Sequence, residues 1–286
     1  VIYGLVAAVG WGLAEFFGAL SGQRMGSIST VVVGQGLSAA FMTVVLVATG
    51  RPLGALTAVI FLIALNGLAA AVAYLSHYRA LELGPVAVVS PIGASYAVSG
   101  VLLAIVFLGE RPTGLAVAGM VITVLGAMLV STDLAAVRAG VHQRAPGVPW
   151  AVGSSVTFGV AGFLLGWIVQ ESDWIVGLWA SRVAQMVFYL PLFATHRHEL
   201  SRLKTAGLVA LAAALAAGAA DILGVTTYSI GVETGDDVSL VLAASAVFPL
   251  VAVVASHVWL KERLVSNQYG GVAAVVAGLV LLGLGS

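Results

Sequence analysis

Glu15, Arg182 and Asp221 are ionisable residues set inside long apolar stretches of this 286-residue chain. A bare charge at such a place costs at least ~2.5–3.5 kcal/mol in a bilayer, so these three are the residues with chemistry to do. Glu15 sits in Trp11-Gly12-Leu13-Ala14-Glu15-Phe16-Phe17-Gly18, and a carboxyl there can gain and lose a proton or take a cationic ligand. Pairing with Arg182 and snorkelling to a nearby surface are its alternative roles. Asp221 shares a helical face with Val225 and Tyr228, at spacings of four and seven. That face can offer a carboxylate and a phenol to one ligand, or spend Asp221 on an interhelical hydrogen bond. Arg182, with Ser181 and Gln185 close in sequence, can bind a ligand carboxylate or neutralise Glu15 or Asp221. Pairing is preferred, because an unpaired buried charge is costly.

Neutral polar residues add softer candidates. Asn66 and Gln35 carry primary amides that need partners in lipid. Ser95 and Ser99 share a helical line with Pro91, and Ser245, Pro249 and Ser256 approximate a second such line. Each proline frees a backbone carbonyl, which makes Pro91 and Pro249 candidate hinges or cavity positions, although serines in helices often bond their own backbone. Trp11, Tyr96 and Phe248 join the set by position, whereas most other aromatics read as packing or interfacial belt. The candidates for substrate or proton binding are therefore Glu15, Asp221, Arg182, Trp11, Asn66, Gln35, Tyr96, Ser95, Tyr228 and Phe248. His77 and His257 lie near span ends and form no metal-ligand pair. No Gly-x-Ser-x-Gly elbow, Walker loop or His-Glu-x-x-His occurs, and there is no cysteine. The expectation is a protein that is not an enzyme and uses no metal or cofactor.

The elements that must position these residues follow from composition. The chain is 60% hydrophobic and 8% charged, with mean hydropathy +1.10. Soluble domains carry about 25% charged residues, so this is an all-α polytopic membrane protein. With roughly 20 apolar residues needed per crossing, ten spans are read near 2–21, 28–49, 55–78, 85–108, 113–131, 149–169, 174–194, 206–230, 238–259 and 265–284. Gly50-Arg51-Pro52, Gly84-Pro85 and Arg111-Pro112 mark breaks between them. The polar stretch from Thr132 to Pro149, with Asp133, Arg138, His142, Arg144 and Pro146, reads as a linker between halves. Gly4, Gly10, Gly12 and Gly18, and the Ala-rich run 210–220, read as surfaces for close helix packing. Net charge is zero, so neither nucleic acid nor anionic lipid is an electrostatic partner. Val1 opens directly in an apolar run, which reads as a first span and not as a removed leader.

The halves repeat one another. Glu82 and Gly84 match Glu233 and Gly235; with one residue inserted, Glu110, Arg111, Gly119 and Gly126 match Glu262, Arg263, Gly271 and Gly278. An odd number of spans in each copy makes the copies face opposite ways, an architecture of transporters. Glu110-Arg111 and Lys261-Glu262-Arg263 read as helix-end caps and interfacial anchors. The run from Ala80-Leu-Glu-Leu-Gly-Pro through Phe107-Leu-Gly-Glu-Arg-Pro to Gly126 resembles the EamA family of the drug/metabolite transporter superfamily. So does the second copy, from Glu233-Thr-Gly through Trp259-Leu-Lys-Glu-Arg-Leu to Gly278, and Trp11-Gly12 resembles the Trp-Gly of the family's first span. The second copy departs at Asp236-Asp237 and Ala243, where the first has Pro85 and Pro91, and the halves become chemically unequal.

The resemblance implies two inverted five-helix repeats around a central cavity, with small metabolites or drugs as cargo. On this map, residues 1–132 form the first repeat, 133–148 the linker and 149–286 the second repeat. Ala14-Glu15-x-x-Gly18 also resembles the first helix of the small multidrug resistance proteins, a related branch in which that Glu binds protons and cationic drugs. Two acidic residues against one Arg, with aromatics near, point to an amphipathic cargo with an amino or other cationic group, an amino acid included. A secondary transporter working by alternating access, as a proton-coupled exporter, is the expectation. An uncoupled facilitator or uptake carrier is the alternative, and a non-transporting receptor or assembly protein is the competitor from another class. The expected setting is the lipid bilayer of a bacterial inner membrane, as a monomer, with a dimer as second choice. Orientation stays open: Lys and Arg favour the odd-numbered connections and place both termini outside, whereas relatives are drawn with both in the cytoplasm.

Overall fold

The computed structural model describes residues 1–84, 86–132, 134, 146–260 and 266–285. Pro85, the linker residues Asp133, Arg138, His142 and Arg144, the Lys261-Glu262-Arg263 run and the side chains of Ser256 and His257 lie outside the described part.

Apolar length builds the helices. They are α1 (Ile2–Met25), α2 (Ser27–Thr49), α3 (Leu56–Leu83), α4 (Val86–Ala94), α5 (Tyr96–Leu103, extended by a π-helical turn over Ala104–Leu108) and α6 (Gly114–Ser131). The second half holds α7 (Val148–Glu171), α8 (Trp174–Thr195), short α9 (Arg197–Ser201), α10 (Leu208–Glu233), α11 (Val238–Ser245), α12 (Phe248–Leu260) and α13 (Ser266–Gly285). Among the described residues, nine spans are long and apolar enough to cross a bilayer, and the apolar helix Gly114–Val130 is a little shorter. The chain is thus a multi-pass integral membrane protein of nine to ten membrane helices. Large apolar side chains such as Phe61, Val106, Leu208 and Leu284 point outward, as a lipid-facing surface requires.

The ends of these helices explain the repeated acidic residues. The first backbone N–H groups of a helix lack internal partners and carry partial positive charge, so a carboxylate is favoured there. Glu82 accepts from the Ser27 amide at the start of α2 (3.2 Å), and Glu233 accepts from the Trp174 amide at the start of α8 (3.1 Å). Matched residues in the two copies thus cap matched helices. Glu110 reaches from the first half into the second, taking the Val238 and Ser239 amides of α11 at 2.7 and 3.0 Å. The matched glycines differ in a telling way. Gly84 is extended (φ −134°, ψ 160°), as the residue before a proline must be, whereas Gly235, followed by Asp236, takes a left-handed turn at φ 104°.

Neither half closes on itself. α1 runs along α10 and against α11 and α12, while α7 runs along α3 and against α4 and α5; α6 and α13 lie together. Glycine makes the crossings close. A methyl group at Gly10 would lie 2.5 Å from the Gly224 amide nitrogen, and one at Gly12 would lie 2.4 Å from the Phe248 carbonyl. Between α6 and α13, Gly119 faces Gly278 and Gly126 faces Gly271, each pair with backbone carbonyls within about 3 Å of where a Cβ would stand.

Two spans are interrupted. The fourth breaks at Ser95, four residues beyond Pro91, and the ninth breaks at Ala246–Val247, so that Pro249 stands in the first turn of α12, where a missing N–H is harmless. Both were read from sequence as single spans; the breaks divide each into two helices.

Candidate functional site

Five long helices and the two interrupted spans surround a central cavity. Each helix contributes one face. Trp11, Ala14 and Glu15 come from α1; Asn66, Ala70, Tyr74 and His77 from α3; Leu178, Ser181, Arg182 and Gln185 from α8; Asp221, Val225 and Tyr228 from α10. Tyr96 and Phe248 enter from the interrupted spans, and Phe158, Ala161, Gly162 and Leu165 from α7. Eight of the ten candidates named from sequence therefore line one cavity: Glu15, Asp221, Arg182, Trp11, Asn66, Tyr96, Tyr228 and Phe248. Gln35 stands behind the wall and Ser95 lies off it.

One end of the cavity is a closed polar network. Arg182 Nη2 donates to Asp221 Oδ2 at 2.9 Å, both residues being buried. Arg182 Nη1 donates to Gln35 Oε1 at 2.7 Å and to Gln185 Oε1 at 2.9 Å; Gln35 Nε2 donates to Asp221 and the Tyr74 hydroxyl donates to its other oxygen. The guanidinium also lies 5.4 Å from the centre of the Tyr74 ring. Arg182 thus takes Asp221, not Glu15, and Gln35 acts by orienting that pair. Two donors in this group have no acceptor among the described residues, Arg182 Nε and the Ser181 hydroxyl.

Glu15 is different. It is 3% exposed, and neither carboxylate oxygen accepts a hydrogen bond from a described residue. His77 Nε2 stands 3.8 Å from Glu15 Oε1, beyond hydrogen-bond reach, and Ser90 lies beside the carboxyl. His77 is held edge-on to Phe158 (5.6 Å) and to Tyr78 (5.9 Å). α3 continues to Leu83, beyond the span end read from sequence, and the His77 ring lines the cavity. The missed signal was periodic: Asn66, Ala70, Tyr74 and His77 fall at spacings of four, four and three, one helical face.

The remaining candidates are structural ties across the cavity. Tyr96, first residue after one break, bonds Ser245, last residue before the other, at 2.5 Å, and Trp11 lies 6.2 Å from Tyr96 and 6.0 Å from Tyr228. Tyr228 donates to the Gly162 carbonyl at 2.8 Å, and Asn66 donates to the Ala161 carbonyl at 2.7 Å. Ser95 bonds the Ile92 carbonyl of its own span and the Ser155 hydroxyl on α7 at 2.6 and 2.7 Å, and Ser99 bonds the Tyr96 carbonyl at 3.0 Å.

The sequence model of the EamA-like transporter family matches residues 1–132 and again residues 145–284. The chain belongs to the EamA-like transporter family. EamA members are transporters, not enzymes, and this one carries two EamA repeats. A relative from Streptantibioticus cattleyicolor, named "Probable terminal-alkyne amino-acid exporter", is 31% identical over 192 residues, 65% of this chain and 60% of the relative. The aligned part thus spans under two thirds of that exporter's length. A crystal structure of a protein at 16% identity superposes with a TM-score of 0.72 over 99% of this EamA chain and 96% of the other, a likeness of fold.

Proposed function

We propose that this EamA protein is a secondary transporter that carries a small amphipathic molecule bearing an amino group, amino acids included, by alternating access, in the direction of export. The observation that carries this reading is the Glu15 carboxyl, buried in the cavity without a hydrogen bond from a described residue, while the nearby cation Arg182 is already neutralised by Asp221. An ammonium group supplies both the charge and the N–H donors that the carboxyl lacks. Trp11, Tyr96, Phe158 and Phe248 supply apolar and cation–π surface for the rest of the cargo. An amino-acid cargo agrees with the name of the Streptantibioticus relative.

Two inverted five-helix repeats, 1–132 and 149–286 joined by 133–148, give the alternation its two states. The crossed glycine contacts support this: the first glycine of one repeat meets the second of the other, as a two-fold relation between antiparallel helices requires. Proton coupling uses Glu15, which must release its proton for the ammonium to bind. Transport by the purified protein in liposomes, screened over amino acids, amines and sugar-phosphate-like anions, tests the reading. Movement of strongly anionic cargo alone would refute it.

A further inference from the structure

Resting on the amine reading, we propose that His77 makes the Glu15 site selective for ammonium groups that carry N–H bonds, and against quaternary ammonium. Glu15 Oε1 and His77 Nε2 are 3.8 Å apart, too far to bond each other. A ligand nitrogen about 2.8 Å from each completes a triangle over that gap, so two N–H bonds of one ammonium satisfy both acceptors. His77 Nδ1 has no partner among the described residues, so no hydrogen bond commits the tautomer, and Nε2 is free to present its lone pair as that second acceptor. The ring makes edge contacts with Phe158 and Tyr78, which favour its place at the cavity wall. A trimethylammonium group brings charge but no donor. It leaves a buried carboxylate oxygen and a buried imidazole nitrogen unbonded, and holds its own charge farther off. Sites built to hydrogen-bond a ligand reject analogues that lack the donor far more strongly than apolar pockets reject a changed size. The aromatic walls alone would select the other way, since aromatic cages favour quaternary cations.

The experiment measures binding of phenethylamine and of its N,N,N-trimethyl counterpart to the purified full chain, with His77→Leu and His77→Gln beside it. The expected result is a preference of about tenfold or more for the primary amine, abolished in His77→Leu mainly by weaker primary-amine binding, and partly kept in His77→Gln, whose amide oxygen can still accept. Equal affinities in the native chain, or a preference unchanged in a folded His77→Leu protein, would overturn the role of His77 while leaving the amine reading intact. Binding of neither compound at millimolar concentration would instead overturn the amine reading and this inference with it. Should neither variant fold, the ratio in the native chain decides.

Discussion

Arg182 Nη2 on α8 lies 2.9 Å from Asp221 Oδ2 on α10, and this contact neutralises a cation of the cavity wall that would repel the ammonium cargo proposed above. Breaking a buried pair from one side leaves the other charge without compensation, at a cost of about 3–5 kcal/mol. Arg182→Leu and Asp221→Leu alone should each lower the thermal unfolding midpoint in detergent sharply. The double variant should recover part of the loss, because neither charge remains. Additive single effects in a double-mutant cycle would show that the pair is not coupled.

Glu15→Gln keeps size and hydrogen-bonding atoms but cannot titrate. His77 and Ser90 lie beside Glu15, and Tyr74, Tyr78, Arg182 and Asp221 line the same cavity. The variant should fold normally, bind cargo more weakly and lose acceleration by an imposed pH gradient. Flux assays in liposomes at several internal and external pH values check this. A folded variant with the native pH profile would make Glu15 structural and point to facilitated diffusion.

Glu110 caps a helix of the opposite half, so its loss should be felt at α11. Replacing Glu110 with Ala removes the acceptor of two backbone amides, and caps of this kind are worth about 0.5–2 kcal/mol. Glu110→Gln should lose less, since its amide oxygen still accepts. Hydrogen exchange at Val238 and Ser239 is the direct readout: faster exchange in the Ala variant than in the Gln variant is expected.

Gly278→Leu should separate α6 from α13, because a Cβ there would lie 2.4 Å from Thr123 Oγ1 and 2.6 Å from the Thr123 amide nitrogen. Overpacking of this kind costs about 1–3 kcal/mol. Gly270→Ala, where a Cβ meets nothing within 4 Å, serves as the control and should leave the midpoint unchanged or slightly raised. Equal losses in both would remove the close crossing as the reason for the repeated glycines.

Single cysteines placed at Glu110 and at Glu262 in this cysteine-free chain should label from opposite sides of the membrane. Labelling of both from one side would end the inverted-repeat reading.

A membrane protein of nine to ten helices in two repeats was legible because apolar length and the Glu–Gly register are written locally along the chain. The breaks were only half legible. Pro91 and Pro249 each stand within four residues of a break, but nothing local foretells the Tyr96–Ser245 hydrogen bond that joins the two breaks across the repeats. Within the site, the cost of burying charge singled out Glu15, Arg182 and Asp221, yet it could not say who pairs with whom. That choice depends on which helix faces meet: α1 runs along α10, yet Asp221 and Gln35 turn to Arg182 while Glu15 turns toward His77. His77 was hidden for a related reason: the polar end of α3, with Arg79 and Glu82, makes the span look shorter than its helix.

The exchange of first helices between halves also constrains how the protein is made. Gly10 on α1 meets Gly224 on α10, and translation at ~5–20 residues per second separates their synthesis by roughly 10–45 s. Throughout that interval Gly4, Gly10 and Gly12 of α1 lack the second-half residues they pack against. A ribosome stalled after the first repeat therefore leaves an orphan in the bilayer, a natural substrate for membrane proteases, and splitting the gene between the repeats should yield a working carrier only when both pieces are made together.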